Sequence, residues 1–164
     1  MQVLIVRHAK AEERGLLKRD ALRPLTPEGR KDMRKAARGL KPLVTAIDVL
    51  AVSPLLRARQ TGEILADVFA GPAVTEIAQL TPGTPAPELL AWLQEQPAAA
   101  TVALIGHEPD LSSLVGYLLS GKNHSLIELK KGAACLIEFA ARPRAGEGRL
   151  KWALAPRQLR ALAS

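Results

Sequence analysis

The chain has 164 residues, of which 48% are hydrophobic and 24% charged, and its formal net charge is +7. That length suits a single core, and the balance excludes a disordered chain. The positive excess favours anionic substrates or partners, while apolar runs such as VLIV and AAATVALIG are too short to span a bilayer.

No basic stretch followed by a hydrophobic signal region opens the sequence, so a cytoplasmic protein without membrane attachment is expected, organised as one domain over residues 1–164. The five aromatics (Phe69, Trp92, Tyr117, Phe139, Trp152) are not interleaved with basic residues, which argues against nucleic-acid binding. The lone Cys135 cannot close an internal disulfide and sits in an apolar pattern, as a buried small hydrophobe would.

Strand and helix signals alternate along the chain. A β-rich run over 2–7 is followed by a helix over 26–40, with Thr26 as its N-cap and Pro27 at its first position. The many charges of that helix read as a solvated face with an apolar stripe behind it. A strand over 47–53 leads into a helix over 55–69, in which Ile64, Leu65, Val68 and Phe69 share one side. A short strand over 74–77 and a proline-broken loop precede a helix over 87–95. Residues 101–105 form a continuous apolar run typical of a central strand, and 110–119 reads as a helix stopped by Gly121. The segments 133–140 and 149–154 are strand-like and joined by the turn-rich RPRAGEGR, as in an antiparallel hairpin. The sum is an α/β fold, a three-layer α/β/α sandwich whose sheet is mostly parallel with an antiparallel portion.

Two of the three histidines stand where strands end, His8 in LIVRHAKAE and His107 in ALIGHEPDL. Ligand sites of open α/β sheets form outside the carboxyl ends of the strands, so these two can share one crevice although distant in sequence. Arg57, in SPLLRARQT after the strand over 47–53, arrives at the same edge, beside Arg7. Two guanidinium forks and two imidazoles suit a doubly charged phosphoryl group. His124 lacks such a context and reads as a loop residue. Without HExxH, CxxC or a glycine-rich phosphate loop, no metal and no nucleotide cofactor is expected.

The segments RHAKAE, SPLLRARQT and GHEPDL, in this order and at strand ends, resemble the histidine phosphatase superfamily, with its phosphoglycerate mutase-like fold. Within it the chain is most similar to the short bacterial phosphohistidine phosphatases of the SixA type. The likeness extends through RPLTPEGR at 23–30, QLTPG at 79–83 and APRQL at 155–159. It implies that His8 is the nucleophile, that Arg7, Arg57 and His107 bind and stabilise the phosphoryl group, and that Arg23 either reaches the phosphate or holds the N-terminal loop. Ser53 and Thr61 are expected as supporting or capping residues. The implied function is hydrolysis of phosphohistidine on proteins. Small phosphomonoesters or polyphosphate remain alternative substrates, and a non-catalytic polyanion-binding module is the alternative outside enzymes. Oligomeric state is left open. One departure stands out: relatives commonly carry a glutamate just before LTPG as a proton donor, and this chain has Gln79, with Glu76 three residues away.

Overall fold

Six strands form one mixed sheet in the computed structural model, which describes residues 1–15 and 19–163. They are β1 (Gln2–Arg7), β2 (Val49–Val52), β3 (Val74–Glu76), β4 (Thr101–Gly106), β5 (Ala134–Glu138) and β6 (Arg149–Leu154), and their order across the sheet is β3-β2-β4-β1-β5-β6. The first four in this order run parallel; β5 is antiparallel to β1 and pairs with β6 as the expected hairpin, with a register shift between Leu136 and Ile137. The apolar run from Thr101 lies at the centre, because only a strand covered on both faces can be apolar throughout.

Side chains of alternate parity feed two cores. Val3 and Ile5 of β1, with Val102 and Leu104 of β4, face α3 (Ala86–Gln94) and α4 (Asp110–Ser120) through Leu90, Leu93, Leu114 and Leu118. Leu4, Val6, Ala103 and Ile105 face the other way, toward α1 (Pro27–Leu40), α2 (Leu56–Phe69) and α5 (Pro156–Leu162), through Met33, Leu40, Leu65 and Leu159. The period of two along each strand therefore yields the three layers. Cys135 is buried in the first core, and burial pushes its thiol up to about 12, so it is inert packing.

The helix starting at Pro27 begins as its sequence indicates, with the Thr26 hydroxyl accepting from the Gly29 amide at 2.9 Å. Gly121 closes α4 in the left-handed conformation, φ 75°. Two kinds of element escaped the sequence reading. The C-terminal α5 has seven residues with only Leu159 buried, too short for a periodic signal. It lies so close to α1 that a methyl group on Gly39 would overlap the Leu159 carbonyl oxygen. The other kind is a pair of 3-10 turns, Asp20–Leu22 and Ala78–Leu80, each next to the site described below. The second strand is shorter than expected, because Ile47 turns into the core before the ladder begins and Ser53 has already left it.

Candidate active site

The strand order decides where the histidines meet. β4 lies between β1 and β2, and the register sets Arg7 opposite Gly106 and Val52 opposite Ile105, so three strands end almost level. The next residue on each is His8, His107 or Ser53. Adjacent strands lie about 4.8 Å apart, and the two imidazole centroids are 5.1 Å apart, tilted by 54°. Backbone bonds hold the ends together: the His8 amide donates to Gly106 O at 3.1 Å and the Ser53 amide to Ile105 O at 3.0 Å. A third strap comes from the turn before β5, where the Gly132 amide donates to the carbonyls of both Arg7 and His8 at 3.1 Å.

His8 is only 6% exposed, and its Nδ1 lies 2.7 Å from the Ala9 carbonyl oxygen. A carbonyl only accepts, so Nδ1 carries the proton and Nε2 keeps its lone pair. The sequence did not reveal this backbone partner. Burial holds the imidazole pKa down at about 3 against the opposing Ala9 bond, with smaller lowering contributions from His107, Arg57 and Arg7. Desolvation, rather than the neighbouring arginines, is thus the main reason that this ring is neutral.

His107, 5% exposed, is held at about 4, again chiefly by burial and then by Arg57. Its Nε2 lies 2.7 Å from Ser53 Oγ, which also accepts from the Leu55 amide at 3.3 Å. The assignment that uses every atom has the Ser53 hydroxyl donating to Nε2, leaving the proton on Nδ1. That Nδ1 is buried and has no partner among the described residues, and the same is true of Arg7 Nε and Arg57 Nε. Thr61 fastens the arrangement by accepting from the Ala9 amide at 3.1 Å and donating to Arg57 O at 2.7 Å.

One outer nitrogen of Arg7 and both of Arg57 already donate to protein acceptors. Arg7 Nη1 donates to Leu129 O at 2.7 Å. Arg57 places Nη1 on Asp20 O at 3.0 Å and Nη2 on Asp20 Oδ2 at 3.2 Å. Arg23 is buried beside it, with Nε on Asp20 Oδ1 at 2.8 Å and Nη1 on Glu12 O at 2.6 Å, contacts that tie down the N-terminal loop. Asp20 escaped the sequence reading; its signal was the spacing of three residues to Arg23 in DALR. Lys131 was missed as well. Burial lowers its pKa, assisted by the charges of Arg7, Arg23, Arg14 and Arg57.

Gln79, on the turn Ala78–Leu80, lines a small cavity with His107 and Asp110. Glu76 is held by Arg59 at 2.9 Å. His124 is exposed, with its backbone against Gly116 of α4. Among the described residues no cluster of three or more His, Cys, Asp and Glu is arranged to hold a metal ion, and no helix is long and apolar enough to cross a membrane.

The buried imidazoles also set a pH dependence. Both folded-state values lie below the ordinary 6.5, so as pH falls the unfolded chain takes up protons first. Their contribution to stability is complete above about pH 6.5 and is lost as pH falls toward 4 and then 3. Urea midpoints measured near pH 7 and near pH 5 are expected to drop, and the drop to shrink in His8→Gln and His107→Gln. An unchanged drop in both variants would assign it to carboxylates instead.

The carboxyl edge of this mixed sheet thus carries buried neutral imidazoles and guanidinium nitrogens without partners among the described residues. Comparison with known proteins then defines the family. Residues 3–80 match the histidine phosphatase superfamily (branch 1). An uncharacterised protein of Picosynechococcus sp. is 36% identical over 144 residues, covering 82% of this chain and 87% of its own. The phosphohistidine phosphatase SixA of Escherichia coli (strain K12) is 31% identical over 163 residues, 98% of this chain and 97% of its own. The solved structure of the protein histidine phosphatase SixA complexed with tungstate superposes with a TM-score of 0.83 at 31% identity, covering 97% of this chain and 99% of that one. The chain belongs to the histidine phosphatase superfamily and is a hydrolase of phosphate esters or phosphoramidates.

Proposed function

We propose that residues 1–164 act as one domain that removes phosphoryl groups from phosphohistidine on proteins, in cytoplasmic signalling, with His8 as nucleophile and Arg7, Arg57 and His107 as phosphoryl ligands. The observation that carries this is that Arg7 Nε, Arg57 Nε and His107 Nδ1 are buried without a partner among the described residues, at the sheet edge where His8 keeps a free Nε2. Buried donors without acceptors are costly, and three at one edge are best satisfied by the oxygens of a bound phosphoryl group.

In the first step the substrate imidazole is protonated on its other ring nitrogen, His8 Nε2 attacks phosphorus in line, and the bond from phosphorus to the substrate imidazole breaks, its electron pair staying on that nitrogen so that the ring leaves as a neutral imidazole. In the second, water attacks phosphorus, the His8–phosphorus bond breaks, its electron pair returns to Nε2, and phosphate departs as the water proton passes to solvent. The charge that spreads over the equatorial oxygens meets donors already in place. A phosphohistidine ring can be protonated on its other nitrogen before cleavage and so leave as neutral imidazole. A sugar phosphate needs a general acid that Gln79 cannot provide, while Glu76 is engaged with Arg59.

A turnover panel tests the reading with a phosphohistidine-bearing phosphotransfer domain, a sugar phosphate and polyphosphate. The phosphohistidine protein is expected to exceed the sugar phosphate in kcat/KM by roughly a hundredfold or more, the usual worth of one general acid. Gln79→Glu is expected to narrow that gap by raising ester turnover. Equal turnover of ester and phosphohistidine would sink the proposal, and preference for polyphosphate would assign the site to that substrate.

A further inference from the structure

Asp20 has no place in the chemistry described so far, although its carboxylate is the one anionic group bonded to the site's guanidiniums among the described residues. One oxygen, Oδ1, accepts from Arg23 Nε at 2.8 Å; the other, Oδ2, accepts from Arg57 Nη2 at 3.2 Å. Its backbone carbonyl is shared too, by Arg57 Nη1 at 3.0 Å and the Arg23 amide at 3.2 Å. The short turn Asp20–Leu22 thus presents a carbonyl and a carboxylate together to both outer nitrogens of Arg57. The guanidiniums are buried, with side chains 4% exposed for Arg57 and 7% for Arg23, whereas the Asp20 side chain is 49% exposed. Burial works against its ionisation, but Arg57 and Arg23 outweigh this and hold the carboxyl below its ordinary range, so it stays charged near neutral pH.

We propose that Asp20 is a positioning residue that holds one N–H of each outer nitrogen of Arg57, leaving the edge formed by Nε and the remaining N–H beside it to the phosphoryl group, and that its fixed negative charge limits how tightly the site holds free phosphate. This rests on Arg57 being a phosphoryl ligand. The reasoning is electrostatic and geometric. A guanidinium with a free fork takes phosphate in a bidentate grip, and such a grip binds the product as well as the transition state. With its outer nitrogens on Asp20, Arg57 is fixed in plane and meets the product with one edge only. The fixed carboxylate also cancels one of the positive charges that would otherwise retain a departing dianion.

The experiment uses the full chain carrying Asp20→Asn or Asp20→Glu, with kcat, KM and inhibition by inorganic phosphate measured on one substrate. In Asp20→Asn, kcat is expected to fall about tenfold through loss of one charge-assisted hydrogen bond's worth of positioning. Phosphate is expected to inhibit at a concentration roughly five to ten times lower, as the freed fork gains such a bond. Asp20→Glu keeps the charge and is expected to inhibit within about twofold of the natural chain, as expected where charge is the agent.

A mere buttress would lose activity and bind phosphate more weakly, and that result overturns the proposal. Unchanged phosphate inhibition in Asp20→Asn overturns it as well, as does tightened inhibition in Asp20→Glu, which can be read even where the asparagine variant does not fold. Failure of the underlying reading looks different: phosphate would then inhibit or bind Arg57→Lys as it does the natural chain.

Discussion

His8→Ala is expected to lower phosphate release by roughly four orders of magnitude or more, the scale on which removal of a covalent nucleophile acts. The loss is chemical rather than structural. The ring forms one side-chain hydrogen bond, to the Ala9 carbonyl, and removing it costs about 1 kcal/mol, so the melting transition should shift little. Alkaline quench of the natural chain on labelled substrate should yield a base-stable, acid-labile phosphoryl adduct that is absent from the variant. Residual turnover within tenfold of the natural chain, or an adduct that persists in His8→Ala, would move the nucleophile elsewhere.

Arg57→Lys is expected to cost roughly a hundredfold in kcat, as loss of one donor aimed at developing charge usually does. The conservative charge does not rescue it, because an ammonium cannot hold Asp20 with two nitrogens while directing a third inward. Arg7→Lys should behave alike, since Arg7 divides its nitrogens between the Leu129 carbonyl and the same inner space. His107→Gln is expected to lie in the same range, again roughly a hundredfold. Near-normal rates in all three variants would dissolve the pocket, whatever the fate of His8.

The strength of these expectations differs from what either histidine alone could support. A histidine at a strand end is commonly a structural residue. The level ends of β1 and β4 bring His8 to within 5.1 Å of His107, centroid to centroid. Two buried imidazoles at that spacing beside two guanidiniums make neutrality the favoured state, which a nucleophile requires. Beside that neutral centre Asp20 lies between Arg23 and Arg57 and is paired with both.

Much of this was legible in the residues themselves, for local physical reasons. Strand cores such as VLIV and TVALI declare themselves through unbroken apolarity, α1 through Thr26 and Pro27, and the end of α4 through Gly121, because each signal acts within a few residues. The placement of His8 and His107 immediately after strands, and of Arg57 in the first turn of the helix that follows β2, is equally local, and with it the edge of the sheet on which they gather. Other features depend on contacts that no short window contains. The His8 tautomer comes from a carbonyl whose orientation the fold sets, and the depth of burial that keeps both rings neutral comes from layers packed over them. The bond from Arg57 to Asp20 joins residues 37 apart, and the Gly132 amide reaches back across more than a hundred residues to Arg7 and His8. Sequence determined which groups arrive at the carboxyl edge, since alternation and capping are short-range; only tertiary structure decided their protonation and their partners, because desolvation and long-range hydrogen bonds exist only once the layers have closed.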